Sequence, residues 1–254
     1  MSDAPVLHAT VAPPAAPGWL PPPERVDTAT WARREAFEFF RHFDKPYFNV
    51  CLKVDVAPLQ AWLKAGAPGG LTLALYHLTL RLAQAHPALR LRLDDGQVWR
   101  WPQVFASTAV LRADDSLAFA YLPYHADPRV FVQQAQAAIA AARQPQSTFD
   151  PLARAGGGLP VPTEPGPLDE RAALHFTTLP WLHFSSFSHA RNWGREDAIP
   201  KFAFGRVLPD GPAAWLPMSV EVHHGLVDGV HVGRFVQDFE AALQAPGGWW
   251  PASA

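Results

Sequence analysis

The chain has a single cysteine, Cys51, among its 254 residues. That excludes an intrachain disulfide and fits a reducing compartment. Within the strand-like stretch YFNVCLKVDV, Cys51 reads as a small buried hydrophobe rather than a nucleophile. A large excess of either charge is also lacking. The 21 basic and 23 acidic side chains leave a formal charge of −2, so there is no electrostatic case for nucleic acid or an anionic membrane. No apolar run reaches the roughly 20 residues of a spanning helix. The N-terminus lacks a basic stretch leading into an apolar one, so no secretory signal is expected and the cytoplasm is the expected location.

Hydrophobic residues are abundant, at 48%, and charged residues make up 17%, the balance of a folded globular chain. Residues 1–26 are rich in Pro and Ala with no periodic apolar face and read as a poorly ordered leader. One domain is expected over 27–245, with a C-terminal tail at 246–254.

The domain is expected to begin with a helix in DTATWARREAFEFFRHF, capped by Asp27, Thr28 or Thr30 and carrying an aromatic face from Trp31 to Phe43. A strand follows in YFNVCLKVDV. Leu71, Leu75, Leu78 and Leu82 then recur at helical spacing until Pro87 stops them. ALRLRLDDGQVWRW alternates leucine with arginine and turns at Asp95-Gly96, a hairpin signature. VFASTAVLR and LAFAYLPY read as strands, and PRVFVQQAQAAIAAAR as an amphipathic helix. Residues 144–170 form a long Pro/Gly-rich loop. Its three glycines are no phosphate cradle, since no Gly-Lys-Ser/Thr follows. Further strands are expected in ALHFTTLPWLHFSSF, KFAFGRVL and AAWLPMSVEVHH. A last helix should run from about Val230 to Leu243, with Val232, Phe235, Val236 and Phe239 on one face. This is an α+β pattern: a two-layer sandwich with one mostly antiparallel or mixed sheet covered by helices.

The densest chemistry lies in VEVHHGLVDGVHVGRF. Adjacent strand residues point to opposite faces, so His223 and His224 diverge and do not readily share a metal. A site from His223 or His224, Asp228 and His231 is conceivable, but no zinc spacing such as H-E-x-x-H is present. Ordinary turn chemistry, with Asp228 capping a helix, is a second reading. The third makes a strand-end histidine a general base, which needs an oxyanion donor elsewhere. Spacing alone leaves these readings open.

LPMSVEVHHGLVDGVHVGRF resembles the H-H-x-x-x-D-G signature of the chloramphenicol acetyltransferase family. WARREAFEFFRHF is similar to that family's first helix, AHPALRLRLDDGQVWRW to its helix-to-hairpin segment, and TTLPWLHFSSF to its central strand with Leu-Pro-Trp. The blocks fall in family order over most of residues 27–245.

The resemblance implies direct acetyl transfer from acetyl-CoA, as co-substrate, to a hydroxyl of a small molecule, with chloramphenicol the first acceptor to test. His224 matches the general base. Thr177 stands where the family places a serine that donates to the oxyanion. Asp228 and Arg33 match a structural ion pair that holds the active-site loop. Phe39 and Phe40 match acceptor-lining positions, and Thr108, His175 and Phe187 fall near others. The implied assembly is a homotrimer with interfacial sites and no metal, nucleic acid or membrane partner. His189, Arg191 and Lys201 depart from the family, standing where apolar residues are usual. A more polar acceptor is therefore one alternative. A non-catalytic trimeric binding protein is the other.

Overall fold

The computed structural model describes residues 21–144, 170–191 and 194–251. The long loop expected at 144–170, with its three glycines, falls almost wholly outside these residues, as does most of the leader.

The larger sheet has seven strands. Along its main path lie β2 (Tyr47–Asp55), β10 (Ala213–His223), β8 (Lys201–Phe204), β7 (Ala173–Thr178), β5 (Phe105–Leu111) and β6 (Leu117–Leu122). β9 (Leu208–Asp210) pairs with the start of β10. The β5–β7 and β7–β8 pairs are parallel, and the rest of this sheet is antiparallel. A separate small sheet joins β1 (Glu24–Arg25), β4 (Gln97–Arg100) and β3 (Leu91–Asp94). β3 and β4 form the expected hairpin. Asp95 and Gly96 both have positive φ (48° and 68°), as a tight two-residue turn requires.

The helices are α1 (Arg34–Phe40), α2 (Ala57–Lys64), α3 (Leu71–Ala85), α4 (Pro128–Ala142) and the last helix (Gly229–Gln244), here α5. One face of the larger sheet is the apolar core. Tyr76 of α3 packs on Phe176 and Phe204, while Phe235 and Phe239 of α5 pack on Phe202 and Phe204. Phe176, Phe202, Phe235 and Phe239 are all fully buried, as the helical and strand periodicities require. The opposite face carries His175, Thr177, Lys201, Ser219 and Glu221, and lies under the irregular segment that follows β7.

Several expectations are corrected. The first helix starts at Arg34, later than the candidate caps. Asp27 instead closes a turn, accepting from the Ala29 N–H at 3.0 Å and the Thr30 hydroxyl at 2.8 Å. The expected strand through Leu-Pro-Trp ends at Thr178. There the Leu182 N–H turns back onto the Leu179 carbonyl at 3.0 Å, and Pro180 has no N–H to extend a ladder. The sequence reading assigns nothing to 57–64, where α2 forms with Pro58 in its first turn. Among the described residues there are two sheets rather than one. Order reaches back into the leader, since Glu24 and Arg25 pair with Arg100 and Trp99. It also reaches into the tail, where Trp250 is fully buried and donates to the Pro68 carbonyl at 2.9 Å.

Candidate active site

β10 ends at His223, and the turn that follows delivers His224 to α1. The His224 N–H donates to the Pro46 carbonyl at 2.7 Å, which fixes the residue's exit from the strand. Its ring lies flat on Phe40, with centroids 3.9 Å apart and planes 12° apart, and Phe48 abuts it at 4.8 Å. Nδ1 is enclosed. It lies 3.3 Å from Asp228 Oδ1 without hydrogen-bond alignment, while the side chain as a whole is 34% exposed. The nitrogen left open to a substrate is therefore Nε2. A flat aromatic on one side and a carboxylate near the enclosed nitrogen hold the ring in one orientation, the arrangement a general base needs.

His223 takes the other side. It is 2% exposed, accepts from the Gly225 N–H at Nδ1 (3.1 Å), and meets Tyr47 edge-on at 5.5 Å. His223→Ala is expected to lower thermal stability by the several degrees a lost buried ring brings, with turnover per folded molecule little changed. A loss of turnover larger than that of His224→Ala would reverse the two roles.

Asp228 is the N-cap of α5, and its carboxylate is gripped by both terminal nitrogens of Arg33, with NH2 at 2.9 Å from Oδ1. The same NH2 donates to the His224 carbonyl at 3.1 Å. One guanidinium thus ties α1 to the turn that carries His224. His231 closes the capping box, its Nδ1 accepting from the Asp228 N–H at 3.0 Å, so that nitrogen is already engaged. Arg33→Ala and Asp228→Ala should each cost about 3 kcal/mol, because each strands its partner's charge in a partly buried place. The double variant should cost little more than either single one. Urea unfolding of all four chains checks this, and additive losses would contradict the pairing.

Thr177 sits in β7 on the face opposite the helices. Its Oγ1 is 3.2 Å from His189 Nε2. His175 shares that face, with its ring 5.6 Å from His189 and 5.8 Å from Phe119. Phe187 meets His189 edge-on at 4.8 Å, and its carbonyl accepts from Asn49 at 2.7 Å. Thr108 lies on the other face. It is 3% exposed and bonded to the Tyr76 hydroxyl at 2.9 Å, so the structure does not bring it together with His175 and Phe187. Phe39 is 62% exposed beside Phe40.

Arg191 and Lys201 are each engaged by carboxylates. Arg191 Nε donates to Glu221 at 2.8 Å, and Lys201 Nζ donates to Asp197 at 2.9 Å and to the Ala190 carbonyl at 2.8 Å. Glu221, the anchor of this network, escapes the sequence reading. Only the register that places it opposite Lys201 and Asn49 shows its role. Phe48 escapes for the same reason, since it meets His224 only through the pairing of β2 with β10.

The buried polar groups carry a pH signature. Burial pulls His175 down to about 3 and His77 down to about 4. Burial alone would raise Glu221, but His189 and the Arg191 charge outweigh it and hold the carboxyl at about 2. Each group therefore binds protons more readily when unfolded. Stability should fall as pH drops below the ordinary histidine value of 6.5, as both imidazoles gain protons in the unfolded chain, and further as Glu221 is titrated from 4.5 toward 2. Urea midpoints that stay flat between about pH 7 and 4 would contradict this.

The general base and the oxyanion donor of one reaction must both reach the same tetrahedral centre. Within one chain His224 and Thr177 do not. Thr177 pairs with Ala203, and Ala203 with Ser219, five residues before His224 on β10. At ~3.3 Å per residue and ~4.8 Å between strands, their backbones are about 19 Å apart. The side chains also leave on opposite faces of the sheet.

A family model described as chloramphenicol acetyltransferase matches residues 23–240, the span holding His224, Asp228, Arg33 and Thr177. The chain belongs to the chloramphenicol acetyltransferase family. It is an acyltransferase. A chloramphenicol acetyltransferase of Streptomyces acrimycini is 27% identical over 229 residues, 89% of this chain and 97% of that protein. One from Escherichia coli is 25% identical, over 85% of this chain and 91% of its own length. Among solved structures, a chloramphenicol acetyltransferase superposes with a TM-score of 0.72 at 23% identity, covering 87% of this chain and 99% of that one. The dihydrolipoamide acetyltransferase of Azotobacter vinelandii shares the fold at 0.61 and 17% identity, covering 90% of this chain and 99% of that one.

Proposed function

We propose that this acyltransferase moves the acetyl group of acetyl-CoA directly to a hydroxyl of chloramphenicol, with His224 as general base. The observation that carries the reading is the state of the His224 ring: stacked on Phe40, enclosed at Nδ1 and open at Nε2. A neutral imidazole keeps a lone pair on one ring nitrogen, so Nε2 can take a hydroxyl proton. The thioester supplies an activated acyl carbon. As the carbonyl oxygen gains charge, the Thr177 hydroxyl donates to it. Asp228 and Arg33 hold the His224 turn and carry no proton.

The gap between His224 and Thr177 within one chain favours a site built by two protomers, His224 from one and Thr177 from its neighbour. We assign the assembly as a homotrimer acting in the cytoplasm, without a resident metal. The exposed Phe39 and Phe43, at 62% and 43%, suit such an interface. A second reading keeps the chemistry and changes the acceptor. His175 and His189 beside Thr177 favour an alcohol with more polar substituents than chloramphenicol.

The test mixes the protein with acetyl-CoA and chloramphenicol and follows free CoA and the acetyl ester. Equal release of CoA and ester is expected. No ester, with CoA released only when more polar alcohols are added, would favour the second reading.

A further inference from the structure

His189 lies against Thr177, and the mechanism does not use it. Its side chain is 6% exposed, and its backbone N–H donates to Glu221 Oε2 at 3.0 Å, so the residue is pinned over β10. Nε2 faces the Thr177 hydroxyl at 3.2 Å. Nδ1 faces Glu221 Oε2 at 3.8 Å, beyond hydrogen-bond reach, with no other partner among the described residues. A neutral imidazole has one N–H and one lone pair, and its surroundings decide which nitrogen holds the proton. An ionised carboxylate accepts only, and Glu221 is kept ionised by Arg191 at 2.8 Å. The proton therefore belongs on Nδ1, toward Glu221. Nε2 is left bare, and the 3.2 Å contact is the Thr177 hydroxyl donating to His189.

That has a cost for catalysis. A hydroxyl has one proton. If it is committed to His189, it must leave that bond before it can donate to an oxyanion. We propose that His189 is a positioning residue that holds the Thr177 proton in the resting protein and so restrains transfer. The proposal rests on Thr177 being the oxyanion donor.

The other groups around the ring fit this role. His175 and Phe187 pack against the ring in T-shaped contacts, with centroids 5.6 and 4.8 Å from it. Burial first, and then the positive charges of Lys201 and Arg191, lower the His189 pKa against the pull of Glu221. An apolar side chain at 189 would leave the Thr177 hydroxyl free to turn.

Two measurements decide it. On the full-length protein with ¹⁵N-labelled histidine, long-range ¹H–¹⁵N spectra report which ring nitrogen is protonated, and His189→Leu identifies the signal by its loss. The His189 ring should carry its proton on Nδ1, and a proton on Nε2 would overturn the proposal. This measurement needs a folded variant for the assignment but no activity.

In kinetics, His189→Leu should raise kcat about fivefold, the worth of one hydrogen bond of about 1 kcal/mol, and leave KM for acetyl-CoA unchanged. The gain should vanish in the Thr177→Val background. A folded His189→Leu chain with unchanged or lower kcat would overturn the restraint. If Thr177→Val alone is fully active, the failure lies instead in the reading of Thr177, and the ring spectrum still reports where the proton sits.

Discussion

His224→Ala is expected to cut acetyl transfer by about 10²–10⁴-fold while the protein stays folded. The size follows from what the ring does. Without a base, the attacking hydroxyl must lose its proton to water as the new bond forms, in a site that Phe40 and Phe48 partly close. The fold should tolerate the change because the ring is 34% exposed and His224 contributes its backbone, not its ring, to the bonds with Pro46 and Arg33. The variant should therefore match wild type in thermal melting and fail in turnover. His224→Gln should fail as badly, since an amide keeps the size and polarity but is no base. Near-normal turnover in either chain would remove His224 from the chemistry.

Thr177→Val should lower kcat by about 10²–10³-fold, the scale seen when one oxyanion donor is removed. Valine keeps the branched shape in β7 and deletes only the hydroxyl. KM for acetyl-CoA should barely move, because the ground-state carbonyl bears little of the charge that develops later. Thr177→Ser keeps the donor and should retain activity. If Thr177 merely filled a strand position, the ranking would invert, with valine benign and serine the more harmful. The lost contact to His189 at 3.2 Å does not mimic this result, since His189→Leu loses the same contact and is expected to gain rate.

Periodicity made much of this fold legible before any coordinates. The helix of Leu75 and Leu78, the Asp95-Gly96 hairpin and the helix of Phe235 and Phe239 each carry a pattern that only one element buries well. The start of α1 was not legible, because Asp27 and Thr30 satisfy one another in a turn and the helix waits for Arg33. Nor was α2, a short helix after a strand whose end is fixed by Asp55 accepting from Ala57 and Ala214 at 3.0 and 2.9 Å. At the site, the divergence of His223 and His224 could be read from strand geometry alone. The pairing of Arg33 with Asp228 could not, since 195 residues separate them and only the family likeness proposed it. Glu221 and Phe48 depend on strand register, which no local pattern encodes. Arg191 and Lys201 looked like charges facing a pocket. They are bound to Glu221 and Asp197, which leaves His189 as the polar group at Thr177.

The central claim is that His224 of one protomer and Thr177 of another serve one acetyl transfer, and subunit mixing tests it most directly. His224→Ala and Thr177→Val chains, each nearly inactive, are unfolded together in equal amounts, refolded and assayed with acetyl-CoA and chloramphenicol. In a cyclic assembly whose sites each take one residue from each of two neighbours, about a quarter of the sites regain both groups. Activity should therefore rise to about a quarter of wild type. A mixture no more active than the two variants kept apart would show that both residues act within one chain, and would contradict the account.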